Sequence, residues 1–155
     1  MRVLIISEEV WQDGTNGGNV LSNIFSDTGY EFAQIYCSAG QPQNRLCKKY
    51  YQMTDSMMIK AMFRHMSVGS KFTVENIEKN ENKDVAAHNK KFYSFFHQHK
   101  WGLFYAIRDV LWNTSNWKNE QLNDFLNEFN PDIIFAPCYA KIFMQKLTRY
   151  VADYT

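Results

Sequence analysis

The sequence predicts an α/β fold: a Rossmann-like parallel sheet flanked by helices in three layers. Three observations predict it. Residues 3–6 (Val-Leu-Ile-Ile) form a continuous apolar run, the pattern of a parallel strand covered on both faces. A polar, Gly-rich stretch follows, and then Val20, Leu21, Ile24 and Phe25 recur at helical spacing. Beyond the breaker Asp27-Thr28-Gly29, residues 32–37 read as a second strand, which completes a β-α-β unit. Such crossovers are right-handed, so the loop from Glu8 to Asn19 falls at the carboxyl edge of the sheet, where ligands of this architecture bind.

The remaining elements follow in order. Residues 38–53 are polar, with Gly40, Pro42 and several Gln and Asn, and read as a long loop that partly orders over the site. Thr54 caps a helix to about Met66, with Met57, Met58, Ala61 and Met62 as a core-packing stripe. Residues 68–82 are the least readable, with a short strand at 72–74. From 85 to 112 helical periodicity dominates, with Leu103, Phe104, Ile107, Val110 and Leu111 on one face, and the aromatic stretch 92–117 is expected to pack as helices. Leu122, Phe125, Leu126 and Phe129 mark another helix, ended by Asn130-Pro131. Residues 132–137 then read as a buried strand and 141–154 as a final helix. Strand 3–6 is expected between strand 32–37 and strand 133–135, all parallel. A parallel unit ordinarily continues from such a helix into another strand, so the domain reads as cut short.

Length and composition narrow the function classes. The chain has 155 residues, the usual size of one domain. With 17 basic against 16 acidic residues and a net charge of +1, it lacks the electrostatic footprint of a nucleic-acid binder. The apolar start is too short for a signal peptide. Three cysteines without C-x-x-C spacing fit a reducing compartment, so a cytoplasmic location is expected. The Asn113-Thr114-Ser115 sequon is therefore set aside.

The strongest candidate site is the loop Asp13-Gly14-Thr15-Asn16-Gly17-Gly18-Asn19. Its glycines let backbone N–H groups approach a ligand, and a helix start favours an anion. The plainer reading is a turn that only reverses the chain; the position at the carboxyl edge favours ligand contact. A β-carbon at Gly18 is expected to obstruct a ligand while leaving the core intact. The spacing is not G-x-G-x-x-G and no acid ends the second strand, which argues against nicotinamide cofactors; no Lys-Ser/Thr pair follows, so it is not a P-loop. Glu8 and Glu9 directly follow the first strand and could bind a sugar hydroxyl or a metal, or simply form a solvated edge. A receiver domain is disfavoured because Ala136-Pro137-Cys138 lacks the phosphoacceptor aspartate. His97 and His99 do not share a helix face, and His65 and His88 are isolated. Cys138 has no histidine placed to activate it. No metal site is expected and no catalytic residue can be assigned.

Taken together, Arg2-Val3-Leu4-Ile5-Ile6-Ser7, the Gly17-Gly18 loop opening a helix, and Asn130-Pro131-Asp132-Ile133-Ile134 followed by a helix resemble the N-terminal domain of GT-B glycosyltransferases, family 4 (group 1) above all. The likeness covers the first 37 and last 26 residues and hardly touches the middle. It implies that residues 1–155 are the acceptor-side domain of a two-domain enzyme that moves a sugar from a nucleotide sugar to a glycan or lipid-linked acceptor in polysaccharide biosynthesis. Asn16, Gly17, Gly18, Asn19 and Glu9 would face the cleft near donor phosphates or acceptor, with Cys138 and Tyr139 along the same edge. The implied partners are the nucleotide sugar as substrate rather than cofactor, the acceptor, a C-terminal domain of the same chain and peripheral membrane association. Alone, the chain would be inactive. The E-x₇-E spacing of Glu120 and Glu128 mimics a motif of the family's second domain, but on an amphipathic helix it reads as a solvent face. The competing expectation is a freestanding module that binds a small anionic ligand or a protein partner.

Overall fold

The computed structural model describes residues 1–64, 67–74 and 101–155. Their order is β1 (Arg2–Ser7), α1 (Asn16–Phe25), β2 (Glu31–Tyr36), β3 (Cys47–Gln52), α2 (Asp55–Arg64), β4 (Ser70–Thr73), α3 (Trp101–Thr114), α4 (Glu120–Phe129), β5 (Ile133–Phe135) and α5 (Ile142–Tyr154). One sheet runs β4-β3-β2-β1-β5. β1 pairs in parallel with β2 (Val3 opposite Phe32) and with β5 (Val3 opposite Ile133), and β2 pairs in parallel with β3. The expected neighbours of the first strand are thus found on the expected sides. The sheet is mixed, because β4 runs antiparallel to β3.

Alternation along the strands divides the core between two faces. Val3, Ile5, Phe32, Tyr36 and Tyr50 pack with Trp11, Leu21 and Phe25 beneath α1. Leu4, Ile6, Ala33, Ile35 and Tyr51 face the other way, against Met58, Trp112, Leu122, Phe125, Phe143 and Leu147 from α2, α3, α4 and α5. Three layers result, as the apolar runs require.

Several expectations are corrected. Residues 47–52 are a strand and not part of a loop, although Cys-Lys-Lys-Tyr-Tyr-Gln has little apolar character. Tyr50 and Tyr51 are fully buried because their hydroxyls are satisfied: Tyr50 donates to the Cys47 carbonyl and Tyr51 to the Val68 carbonyl. Lys49 lays its ammonium 5.6 Å from the Phe129 ring centre. The strand expected at 72–74 lies at Ser70–Thr73 and forms an antiparallel edge. β5 is three residues long and not buried on both sides; Ile133 is 45% exposed, since an edge strand has one flank uncovered. On α1, Leu21 and Phe25 face the core, while Val20 and Ile24 face solvent. Val110 is 58% exposed, and α3 instead buries Arg108 and Trp112, one turn apart. Residues 92–100 of the aromatic stretch 92–117, together with His65, His88, His97 and His99, lie outside the described residues.

Candidate functional site at the carboxyl edge

From β1 the chain steps to β2 and β3 on one side, and to β5 on the other. The loops after β1 and β5 therefore diverge, and the crevice between them at the carboxyl ends of the strands is the topological switch point of the sheet. Glu8 and Glu9 enter it from β1; Cys138, Tyr139 and Lys141 enter from β5.

The β1 loop is held by a fully buried amide. Gln34, in the middle of β2, accepts from Trp11 N at 3.0 Å and donates to Ser7 Oγ at 2.7 Å and the Glu9 carbonyl at 3.1 Å. Trp11 is fully buried and its indole N–H donates to Ser22 Oγ on α1 at 2.8 Å. The loop between β2 and β3 closes over this segment: Gln43 N donates to Trp11 O at 3.1 Å and Asp13 N donates to Gln43 O at 2.9 Å. That β2–β3 stretch does order over the edge, as expected, and carries the parallel crossover without a helix. A dense hydrogen-bonded loop fixes the positions of both acids.

Glu8 and Glu9 lie in the bend directly after β1 and their side chains diverge. Glu8 turns toward the four-helix side, where it accepts from Arg108 Nη1 at 2.9 Å and from the Lys141 ammonium. Arg108, with a side chain only 8% exposed, also places Nε 3.0 Å from Asp55 Oδ2 and lies 4.1 Å over the Phe143 ring. Asp55 accepts in addition from the Trp112 indole N–H at 3.1 Å. Burial acts to raise the Glu8 pKa, but the hydrogen bonds from Lys141 and Arg108 and their charges outweigh it, and the carboxyl sits below its ordinary value. The Glu8 backbone N–H donates to the Tyr139 hydroxyl at 3.2 Å, which ties the two loops together across the crevice. Burial raises the Tyr139 pKa, so its hydroxyl stays protonated at neutral pH.

Glu9 is exposed and turns toward α1, with Oε2 4.0 Å from where a Gly17 β-carbon would stand. The first turn of α1 already carries Thr15 as its cap, which accepts from Gly18 N at 3.2 Å. The Glu9 carboxylate beside this turn opposes a phosphate there by like charge. Asn16, Gly17 and Asn19 are exposed on this turn; Gly18 is buried. A β-carbon at Gly18 would stand 1.9 Å from the Gln12 carbonyl oxygen, so the expectation that a side chain there leaves the core intact is overturned. The glycine is required by the loop's own backbone. Cys138 is exposed, whereas burial raises the thiol pKa of Cys37 and of Cys47, the latter to about 12.

Glu9 and Gly17 thus meet at the first turn of α1, which also carries exposed Asn16 and Asn19; Tyr139 meets the β1 loop through Glu8 N, and Cys138 is exposed on the loop after β5. Reading the sequence missed Arg108, Asp55, Trp112 and Lys141. The signal available was an arginine and a tryptophan spaced i, i+4, which marks one helix face, but their acidic partners lie 53 and 100 residues away. Glu128 is exposed and pairs with Lys71, and Glu120 is exposed in the first turn of α4; neither lies at this edge. Among the described residues no three metal-ligating side chains converge, and no helix is long and apolar enough to cross a membrane. Comparison with known proteins found no matching family model, no similar curated protein and no similar solved structure.

Proposed function

We propose that this chain is the acceptor-side domain of a cytoplasmic, sugar-nucleotide-dependent glycosyltransferase of the GT-B type, acting on a glycan or lipid-linked acceptor. The observation that carries the reading is the loop after β1 at the switch point, where an exposed carboxylate, Glu9, stands at the first turn of α1 with its exposed amides, Asn16 and Asn19, and where the protonated phenol of Tyr139 meets Glu8 N. Carboxylates and amides aligned on a rigid edge are what hydroxyl groups of a sugar require. The same carboxylate argues against a diphosphate at the start of α1. Of the two roles open to this loop, the acceptor side is therefore favoured, and the donor belongs to a second domain that would complete the site on closure.

Two observations favour the alternative of a freestanding binding module. The helix-free crossover from β2 to β3 and the antiparallel β4 depart from a doubly wound nucleotide-binding domain. Titration of this chain by amide-detected NMR separates the readings. Under the acceptor-domain reading, glycans perturb Glu9, Gly17 and Tyr139, while uridine, guanosine and adenosine diphosphate sugars bind no more tightly than about millimolar. Micromolar binding of any nucleotide sugar, or silence of this edge toward a broad glycan panel, would overturn it.

A further inference from the structure

A second concavity lies on the helical layer, starting one turn along α5 from Lys141. It is a cleft of about 450 Å³ between the end of α3, the turn into α4 and the outer face of α5. That volume is within the range of small-molecule sites. Its walls carry Lys118, Lys146 and Arg149 against a single acid, Asp153, in a chain whose overall charge is only +1. Positive charge is thus concentrated here out of proportion to the rest of the molecule.

The end of a helix would normally offset such charge with unsatisfied carbonyls. Here Leu111 and Trp112, two of the last four carbonyls of α3, already accept hydrogen bonds, as does Val110 just before them. Thr114 Oγ1 donates to Val110 O at 2.9 Å, Ser115 N donates to Leu111 O at 2.9 Å, and the Trp117 indole N–H donates to Trp112 O at 2.7 Å. Lys118 is held over the rings of Trp117 and Tyr150, at 5.3 and 5.2 Å from their centres. Lys146 and Arg149 project from successive turns of α5, with Arg149 3.6 Å from Asp153 and largely solvent-exposed. The side-chain amides of Asn113 and Asn116 complete the lining, and Asn113 Oδ1 accepts from Lys146.

We propose that this cleft binds a small phosphate-bearing polyol, such as a sugar monophosphate, independently of the carboxyl-edge site. Lys118, Lys146 and Arg149 would hold the dianionic phosphate, displacing Asp153 from Arg149, while Asn113, Asn116 and Asp153 would take the hydroxyls. Three cations around a cleft of this size match one phosphate group; a polyanion needs a track of charge extending beyond it.

The test is calorimetry and amide-detected NMR of the whole chain with glucose 6-phosphate, inorganic phosphate and glucose. The expected result is saturable submillimolar binding of glucose 6-phosphate, weaker binding of inorganic phosphate and none of glucose, with shifts at Asn113, Asn116 and Lys146. Lys146→Glu and, separately, Arg149→Glu should each weaken binding by roughly tenfold or more, while Lys48→Glu, on exposed β3 surface, leaves it unchanged. Arg149 is exposed enough that its replacement tests the site even if loss of the Lys146–Asn113 bond unsettles the fold. Failure of glucose 6-phosphate to saturate, binding to both charge-reversed variants as tight as to the unaltered chain, or shifts confined to Glu9 and Tyr139 would overturn the assignment. Inorganic phosphate binding as tightly as the sugar phosphate would overturn its polyol part.

Discussion

Gly18 and Gly17 are adjacent glycines at one helix start, yet they answer to different constraints. The ideal β-carbon of Gly18 meets backbone atoms of Gln12 at 1.9 to 2.7 Å, and a backbone cannot swing aside as a side chain can. Gly17 faces open space but for the Glu9 carboxylate at 4.0 Å. Gly18→Ala is therefore expected to lose about 3 kcal/mol through forced displacement of the loop. Gly17→Ala should be neutral or gain up to about 1 kcal/mol by restricting the unfolded chain. Denaturant melts of the two variants measure the contrast. Equal losses would mean that the loop moves as a unit and that Gln12 does not fix it.

Among the helices, α4 is the element whose termini are most fully specified. Asn119 caps its start by accepting from Leu122 N at 3.0 Å, and Asn130 ends it in a left-handed conformation at φ 45°, its N–H donating to Leu126 O at 2.7 Å. Pro131 follows and cannot continue the helix. The Asn130 cap also aims the chain at β5, where Asp132 accepts from Arg2 N at 2.7 Å and sets the register against β1. Asn130→Gly should hold stability within about 0.5 kcal/mol, since glycine adopts positive φ freely. Asn130→Val should cost about 1–2 kcal/mol, because a β-branched side chain is strained there. Thermal melts of the pair decide it: indifference to valine would show that the left-handed cap does not control the exit into β5.

Across the whole molecule, the Glu8–Arg108–Asp55 network joins the carboxyl edge of the sheet to α2, α3 and, through Lys141, the start of α5. Buried ion pairs contribute little net stability because desolvation opposes them, but breaking one by removing a single charge is costly. Glu8 has a folded pKa depressed below its unfolded value of about 4.3. Its contribution is therefore fully present above that unfolded value and is lost as pH falls through the folded one. Acid titration of the melting temperature should show a steep loss below about pH 4, and Glu8→Gln should flatten that limb while lowering stability at neutral pH. An unchanged acid limb in the variant would show that the carboxylate is not coupled to folding.

Local pattern was enough for β1, α1, β2, α4 and α5. A continuous apolar run or an apolar stripe of helical period states the element, even where, as at Val20 and Ile24, part of the stripe faces solvent, and Asn130-Pro131 states its own stop. The parallel pairing of β1 with β2 and β5 followed from the same runs through the handedness of crossovers. β3 was not legible, because its core side chains are tyrosines whose buried hydroxyls need partners that only folding supplies. Nor was the charged half of the crevice: Glu8 and Glu9 look equivalent in sequence, and only the bend after β1 and the partners that folding brings send one to Arg108 and Lys141 and the other to α1. Gly18 was recognised as special from its place in the loop, but the reason was Gln12, six residues earlier. The sequence by itself determined β1, α1, β2, α4 and α5 and the edge of the sheet at which the loop after β1 lies, because those depend on periodicity and chain direction. Only the tertiary structure decided which carboxylate is committed to an ion pair and which glycine is fixed by backbone contact, because those depend on groups that meet in space across up to 133 residues of chain.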